Sequence, residues 1–337
     1  MSSPQDRAPF DRLAQELQRQ LARAPAGVDV VETHMSRLFL AGDRVYKLKK
    51  PVRFAFLDFS TPRAREADCR AELRLNRRLA PNVYLDVVPV TLADGRLSIG
   101  GAGEIVDWLV EMKRLPAELM LDRLLVNGAV DAHRIEALAT RLAIFYASAE
   151  RSTISAPDYV ARFSREQAEN RRIVTLRDFA LDHCDAISLL DRVDRLLAEQ
   201  APALEARVRE GRIVDGHGDL RPEHICFCEP LAIFDCLEFN DELRQVDPFD
   251  ELAFLDLECA LLGAPQIGAA IVEATARHLP GPPSPTLFAL YGVCRALLRV
   301  RLSLAHLLDP APRHQDKWEP LARRYLALAR ERLTRIV

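Results

Sequence analysis

Apolar positions along the chain follow two spacings, and the change from one to the other falls between residues 112 and 117. Before it, short runs alternate between apolar and polar residues, the two-residue period of a strand with one face on a core. Residues 37–40 and 44–49 flank the turn Ala41-Gly42-Asp43, and residues 84–92 and 96–99 flank Ala93-Asp94-Gly95, so each set predicts a β-hairpin. Residues 108–113 form one further strand. Between the hairpins, residues 62–79 predict a helix, with Cys69, Glu72, Leu73, Asn76 and Leu79 near one face. The order β-β-α-β-β-β is that of an antiparallel sheet with one helix packed on it.

Beyond residue 117 the spacing is helical, over residues 131–150, 157–174, 188–203, 248–262, 285–308 and 317–336. Two short strands, 225–228 and 231–234, interrupt the helices and are joined by the turn Glu229-Pro230. No internal repeat or low-complexity linker is present. The expected class is α+β: a small antiparallel-sheet lobe with one main helix, then a larger, mostly α-helical lobe, with a ligand cleft expected between them. A charged amphipathic stretch over residues 10–21 precedes the sheet; packing on the small lobe and packing on a neighbouring chain are both open to it.

Composition narrows the partners. With 49% apolar residues, 337 positions can bury a substantial core. Lys and Arg number 46 against 49 Asp and Glu, so the net charge of -3 gives no broad attraction to nucleic acid or anionic lipid, and neither is expected as a partner. The first seven residues are short and polar, so no leader is expected, and no apolar run approaches the roughly 20 residues that cross a bilayer. Seven scattered cysteines in a chain with a large core are expected as reduced thiols in the cytoplasm.

The candidate chemistry centres on His217-Gly218-Asp219-Leu220-Arg221-Pro222-Glu223-His224 and on Ile233-Phe234-Asp235, which follows after the short strands. Two acidic residues are thereby delivered to neighbouring loops, which can converge on one metal-phosphate centre. Phosphoryl transfer needs a carboxylate near the attacking hydroxyl, a second holding Mg²⁺ against the phosphates, and positive charge on the phosphate oxygens. Cys226, Cys228 and Cys236, with His217 and His224 nearby, lack the paired C-x-x-C spacing of a zinc site and read as core cysteines. Glu238 and Asn240 either orient metal or substrate or cap the following loop.

Residues 217–224 resemble the catalytic loop of the aminoglycoside phosphotransferase family, H-G-D-x-x-x-x-N, and Asp235 resembles the metal-binding aspartate that follows it. Asp247-Pro248-Phe249-Asp250-Glu251-Leu252-Ala253 is similar to the family's D-P-x-x-D-L-A segment at the start of the next helix. In the small lobe, Val45-Tyr46-Lys47 resembles the strand whose lysine contacts nucleotide phosphates, and Glu72 the helix glutamate that holds it. By strand parity alone Lys47 and Lys49 serve equally. The stretches 30–34, 46–51 and 56–60 resemble a bacterial branch of this family, some members of which are fused to a P-loop ATPase domain. No G-x-x-x-x-G-K-[ST] segment occurs here, so only the kinase-like part is expected, over roughly residues 26–330.

The resemblance implies a two-lobed protein-kinase-like fold, with residues 1–25 as a helical extension, 26–115 as a nucleotide-binding lobe and 116–337 as the catalytic and substrate-binding lobe. It implies ATP and Mg²⁺ as cofactors and a small hydroxylated molecule (an aminoglycoside, sugar or amino alcohol) as phosphate acceptor. Asp219 is the expected base, with His217 and Arg221 as further catalytic candidates. Lys47, Glu72, His34 and Ser36 surround the phosphates; Glu111, Met112 and Lys113 form a linker against adenine; Asp235 and His224 hold metal. Two departures stand out. His224 replaces the family's asparagine, and an imidazole favours Mn²⁺ or Zn²⁺ over Mg²⁺. No glycine-rich loop is present, and Thr33-His34-Met35-Ser36 takes its place. The competing readings are a catalytically impaired, nucleotide-binding regulatory module, supported by His224, and, ranked below it, a metal-dependent hydrolase.

Overall fold

The computed structural model describes residues 4–23, 27–54, 57–179, 181–308, 314–334 and 336. Phe56, residues 1–3 and 24–25 of the expected extension, and position 335 of the last expected helix lie outside the described residues. The chain divides into two compact units, Met1–Met120 with His224–Leu243, and Leu121–Glu223 with Arg244–Val337.

In the first unit, helix α1 (Pro4–Leu21) precedes strands β1 (Asp29–Glu32), β2 (Ser36–Ala41) and β3 (Arg44–Lys49). A small hairpin, β4 (Arg53–Phe54) and β5 (Leu57–Asp58), leads to helix α2 (Pro62–Asn76), and then come β6 (Tyr84–Ala93), β7 (Arg96–Ile99) and β8 (Glu104–Lys113). Six strands make one antiparallel sheet in the order β1-β2-β3-β8-β6-β7. The five expected strands are all there. The sixth, β1, escapes sequence reading because all four of its residues are exposed and no alternation marks it.

Alternation decides what each face of this sheet meets. Val45, Trp108, Val110 and Met112 pack with Cys69 and Leu73 of α2. Their neighbours Leu48 and Leu109 point the other way and pack with Phe39 and Val90 against Phe10, Ala14 and Leu17 of α1. Those three α1 residues, spaced i, i+4, i+7, form one apolar stripe. The amphipathic stretch at the start of the chain therefore packs on its own sheet, on the face opposite α2. Thr61 caps α2 by accepting from the Ala64 amide at 3.2 Å, with Pro62 opening the helix.

The second unit contains α3 (Leu121–Val126), α4 (Ala132–Ser148), α5 (Ala156–Val174), α6 (His183–Arg209) and strand β9 (Val214–Asp215). The chain then contributes β10 (Ile225–Cys226) and β11 (Ala232–Ile233) to the first unit before returning as β12 (Gln245–Val246), which pairs antiparallel with β9. Helices α7 (Pro248–Leu261), α8 (Pro265–Ala276), α9 (Pro285–Ala305) and α10 (Gln315–Thr334) complete it. Among the described residues no helix is long and apolar enough to cross a membrane. Two helices were not expected. The six-residue α3 is too short to show a period, and α8 starts at Ala264, whose side chain offers no cap.

Helix α7 is buried on almost every side, so its acidic residues must find partners inside the protein. Asp250 accepts two hydrogen bonds from the Arg295 guanidinium at 2.9 and 2.7 Å. Asp256 meets Arg332 at 2.6 Å, and Glu258 accepts from the Tyr325 hydroxyl at 2.7 Å with Arg299 at 3.5 Å. Asp247, which caps the helix, is gripped by Arg207 at 2.5 and 3.0 Å and by the Tyr291 hydroxyl at 3.1 Å.

Candidate active site

Strand parity places Lys47 and Lys49 on the α2 side of β3, and α2 presents Glu72 to both. The Lys47 ammonium lies 2.8 Å from Glu72 Oε1 and 3.2 Å from Asp235 Oδ1. Lys49 Nζ lies 2.7 Å from Glu72 Oε2 and 2.5 Å from Glu238 Oε1, and also contacts Asp68. The approaches to Asp68 Oδ2 and Glu72 Oε2 have the distance of an ion pair without the angle of a hydrogen bond, so they hold by charge. Burial disfavours both ammonium ions, but the carboxylates outweigh it: Asp235 and Glu72 hold Lys47 well above the usual lysine range, and Glu238 and Glu72 do the same for Lys49. Burial would raise Glu72, and the two lysines bring it below the ordinary glutamate value. Two arginines near Glu72 in the sequence bond other groups, Arg65 with Asp107 at 2.8 Å and Arg78 with the Leu75 carbonyl at 3.0 Å.

Asp235 follows β11 with its backbone in the left-handed region, φ 60°, a costly conformation for a residue other than glycine and one that clusters at functional sites. Its amide donates to the Tyr84 hydroxyl at 3.3 Å, and the next amide, of Cys236, donates to Asn76 Oδ1 at 2.9 Å. The Asp235 side chain is 45% exposed, and His224 Nε2 sits 3.5 Å from its Oδ2. An accessible carboxylate is a hard oxygen donor that suits Mg²⁺, while the imidazole beside it suits softer ions. The cysteines form no site: among the described residues, the one group of three His, Cys, Asp or Glu side chains close enough to share a metal is Asp68, Glu72 and Glu238. Lys49 supplies the positive charge among those three.

Thr33-His34-Met35-Ser36 is the turn between β1 and β2. The Thr33 hydroxyl accepts from the Ser36 amide at 2.9 Å, Ser36 is buried at the start of β2, and His34 is exposed. Glu111, Met112 and Lys113, expected against adenine, close the strand expected over residues 108–113. These residues end β8 and are in register with Tyr46, Val45 and Arg44 of β3, because the strand ladder runs through Lys113. Asn240 caps the next turn, accepting from the Glu242 amide at 2.9 Å.

In the second unit, β9 leads through Gly216 into the loop that carries His217, Asp219 and Arg221. Asp219 Oδ2 accepts from Arg221 Nε at 3.1 Å, with Nη2 at 3.0 Å, and Arg221 also reaches Glu223 at 2.6 Å. His217 is fully buried, and its Nδ1 accepts from the Asp219 amide at 3.3 Å. Beneath the loop lies Glu251, a buried carboxylate that accepts from the amides of His217 (3.2 Å) and Gly218 and from the Tyr146 hydroxyl (2.7 Å). Gly216 makes room for it: a Cβ there would come within 2.5 Å of Val246 Cγ2 and 2.9 Å of Glu251 Oε2. Gly216→Ala is expected to displace Glu251 from the loop amides and lower stability by about 1–3 kcal/mol. Thermal denaturation checks this, and an unchanged midpoint would mean the loop accommodates the methyl group.

Solved structures share this architecture. A choline kinase from Cryptosporidium parvum Iowa II superposes with a TM-score of 0.55 at 10% identity, over 97% of this chain and 96% of that one. Choline kinase LicA from Streptococcus pneumoniae gives 0.54 at 14% identity, over 97% and 99%. Spectinomycin phosphotransferase APH(9)-Ia, solved in complex with ADP and spectinomycin, gives 0.51 at 10% identity, over 94% and 98%. The chain has the protein-kinase-like fold of these enzymes.

No protein-family model matches the chain. Among curated proteins it is 33% identical over 292 residues to Uncharacterized protein Rv2004c of Mycobacterium tuberculosis and, at the same level, to Uncharacterized protein Mb2027c of Mycobacterium bovis. The match takes in 85% of this chain, and the chain spans 56% of the length of those relatives.

Within the kinase-like fold, sequence reading missed Asp68, named Glu251 without placing it under the 217–221 loop, and left Glu238 open. Asp68 had a signal: it stands four residues before Glu72, and two carboxylates at i, i+4 repel unless a cation faces them. Burial, opposed by Lys49 and aided by Glu72, pushes the Glu238 carboxyl up to about 7. In the unfolded chain it would titrate near about 4.3. Between these values the folded state keeps a proton that the unfolded state releases, so stability falls as pH rises through that window. Glu251 and Glu258, raised by burial, add in the same sense. Glu238→Gln is expected to shallow the fall in thermal midpoint between pH 5 and 7.5 by up to about one proton's worth. The same slope in variant and parent would remove Glu238 from the pH response.

Proposed function

We propose that this protein is an ATP-dependent phosphotransferase, acting in the cytoplasm, that moves the γ-phosphate of ATP to a hydroxyl of a small molecule. The observation that carries the reading is the Lys47 ammonium held between Glu72 and Asp235 in a kinase-like fold. Lys47 is the phosphate lysine: it is 13% exposed, whereas Lys49 is 1% exposed and surrounded by carboxylates. Asp235 holds Mg²⁺, with His224 beside it favouring Mn²⁺ as an alternative. Ser36 and His34 in the β1–β2 turn cover the phosphates, and adenine meets the chain where it leaves β8 after Lys113.

Asp219 orients the acceptor hydroxyl and takes its proton as the acceptor oxygen bonds to the γ-phosphorus and the bond to the β–γ bridging oxygen breaks, releasing ADP. The divalent ion, when bound, supplies charge neutralisation at the phosphates. Arg221 fixes the plane of the Asp219 carboxylate, and His217 and Glu251 hold its loop.

The acceptor carries little positive charge in this reading. A polycationic aminoglycoside needs an acidic pocket, and of the acidic residues that could line one (Asp241, Glu242, Glu251, Asp256 and Glu258), the three on α7 are committed to internal arginines, tyrosines and amides, which leaves the exposed Asp241 and Glu242. A sugar or another neutral hydroxylated metabolite fits better. The test is an ATP-consumption screen over sugars, amino alcohols and aminoglycosides with Mg²⁺ and with Mn²⁺, using Asp219→Ala as the blank. Turnover with a neutral polyol supports the reading; turnover with an aminoglycoside alone overturns the acceptor class. Nucleotide binding without turnover in either metal favours the regulatory module that the His224–Asp235 pair keeps in play.

A further inference from the structure

We propose that Lys49 is a positioning residue that fixes Lys47 and Asp235 by clamping Glu72 and Glu238 at once. Its kinetic consequences rest on the phosphotransferase reading; its structural consequence does not.

Three elements of chain meet at this ammonium. Lys49 comes from β3, Asp68 and Glu72 from successive turns of α2, and Glu238 from the stretch after β11. Three carboxylates surround this ammonium and it is 1% exposed, so no room remains for a phosphate. Its work is done through neighbours. Glu72 divides its oxygens, Oε1 to Lys47 and Oε2 to Lys49, so the plane of the carboxylate is set by two cations rather than one. A single cation would leave the carboxylate free to rotate and take Lys47 with either oxygen.

The second arm reaches the metal-binding stretch. Glu238 lies three residues beyond Asp235, whose side chain contacts Lys47 from the opposite end. Lys49 therefore joins α2 to the segment that carries Asp235, and Lys47 repeats the connection on the accessible side. Two lysines of one strand face, bridged by one glutamate, make the arrangement rigid in two directions. Lys49 alone is sealed from solvent.

Lys49→Met by itself would leave three buried carboxylates without their cation and is expected to unfold the first unit. The informative variant is Lys49→Met/Asp68→Asn/Glu238→Gln, which removes the clamp and keeps the core close to neutral. In the full chain, amide hydrogen exchange at Cys236, whose N–H bonds Asn76, is expected to speed up by about tenfold or more relative to Val110 in the sheet. For MgATP hydrolysis, kcat is expected to fall about tenfold or more with KM changed by less than about threefold. Glu72→Gln should be as damaging in the native chain yet cost no more than about twofold when added to the triple variant, because both act through one carboxylate.

Unchanged exchange at Cys236, or losses that simply multiply, would overturn the proposal. If the native protein turns over no ATP, the phosphotransferase reading fails and the exchange measurement decides the role of Lys49 by itself. If the triple variant does not fold, Glu238→Gln alone is read by the same exchange, and native protection at Cys236 rejects the clamp.

Discussion

Asp219→Ala is expected to lower turnover about 10²- to 10⁴-fold while the affinity for MgATP stays within about threefold of the native value. The separation follows from where the groups sit. Lys47, Glu72 and Asp235, to which the proposal gives the phosphates and the metal, belong to the first unit, and Asp219 belongs to the second. Its carboxylate is held by Arg221, which retains Glu223 when Asp219 is shortened, so the loop keeps an ion pair and the variant should fold. In a loose phosphoryl-transfer transition state little proton transfer has occurred, so orientation of the hydroxyl should matter as much as basicity. Asp219→Asn, which keeps the shape and loses the base, is then expected to retain more activity than Asp219→Ala. Isothermal binding and steady-state kinetics on the same preparations check both. Equal turnover in native protein and Asp219→Ala would remove this residue from the reaction.

The largest loss of stability is expected at Asp247. This carboxylate caps α7 through the Phe249 amide at 2.9 Å, takes two bonds from Arg207 and one from Tyr291, and is fully buried. Asp247→Ala leaves a guanidinium with only 6% exposure facing a void, and stranding one member of a buried pair costs about 3–5 kcal/mol. The lost cap adds about 1 kcal/mol, not fully additive because the same oxygens serve both. Urea denaturation should show a lower midpoint with an unchanged slope. Asp247→Asn, which can still cap the helix, should lose less. A cost under about 1 kcal/mol for Asp247→Ala would mean that Arg207 finds another acceptor, the Gly281 carbonyl it already touches being the nearest.

The sheet was legible because its strands bury one face: Val45 and Leu48 on opposite sides of β3 announce the alternation, and the Gly-containing turns mark the hairpins. Strand β1 was not, since it buries nothing and gains its place only by pairing with β2. Helix α6 runs past the expected stop at residue 203 because Pro202 sits inside it, where tertiary packing overrides a local breaker. Motif order singled out Lys47, Glu72, Asp235 and His224, and the fold places all four within one unit. Pattern alone left Lys47 and Lys49 equivalent. Which lysine is accessible depends on Glu238, nearly 190 positions along the chain from Lys49, and no local spacing carries that information.

The first unit is assembled from two stretches separated by a hundred residues of the second. A ribosome that has released the first 120 residues has made β3 and α2 but not the segment bearing Asp235 and Glu238, so the ammonium groups of Lys47 and Lys49 face only Asp68 and Glu72. That layer can close only after residue 243 emerges, by which time most of α4, α5 and α6 has already been synthesised. Splitting the gene at a single point within residues 121–223 therefore yields no fragment with the full complement of charges around Lys49; an excised version of this unit would need a designed linker from Met120 to His224.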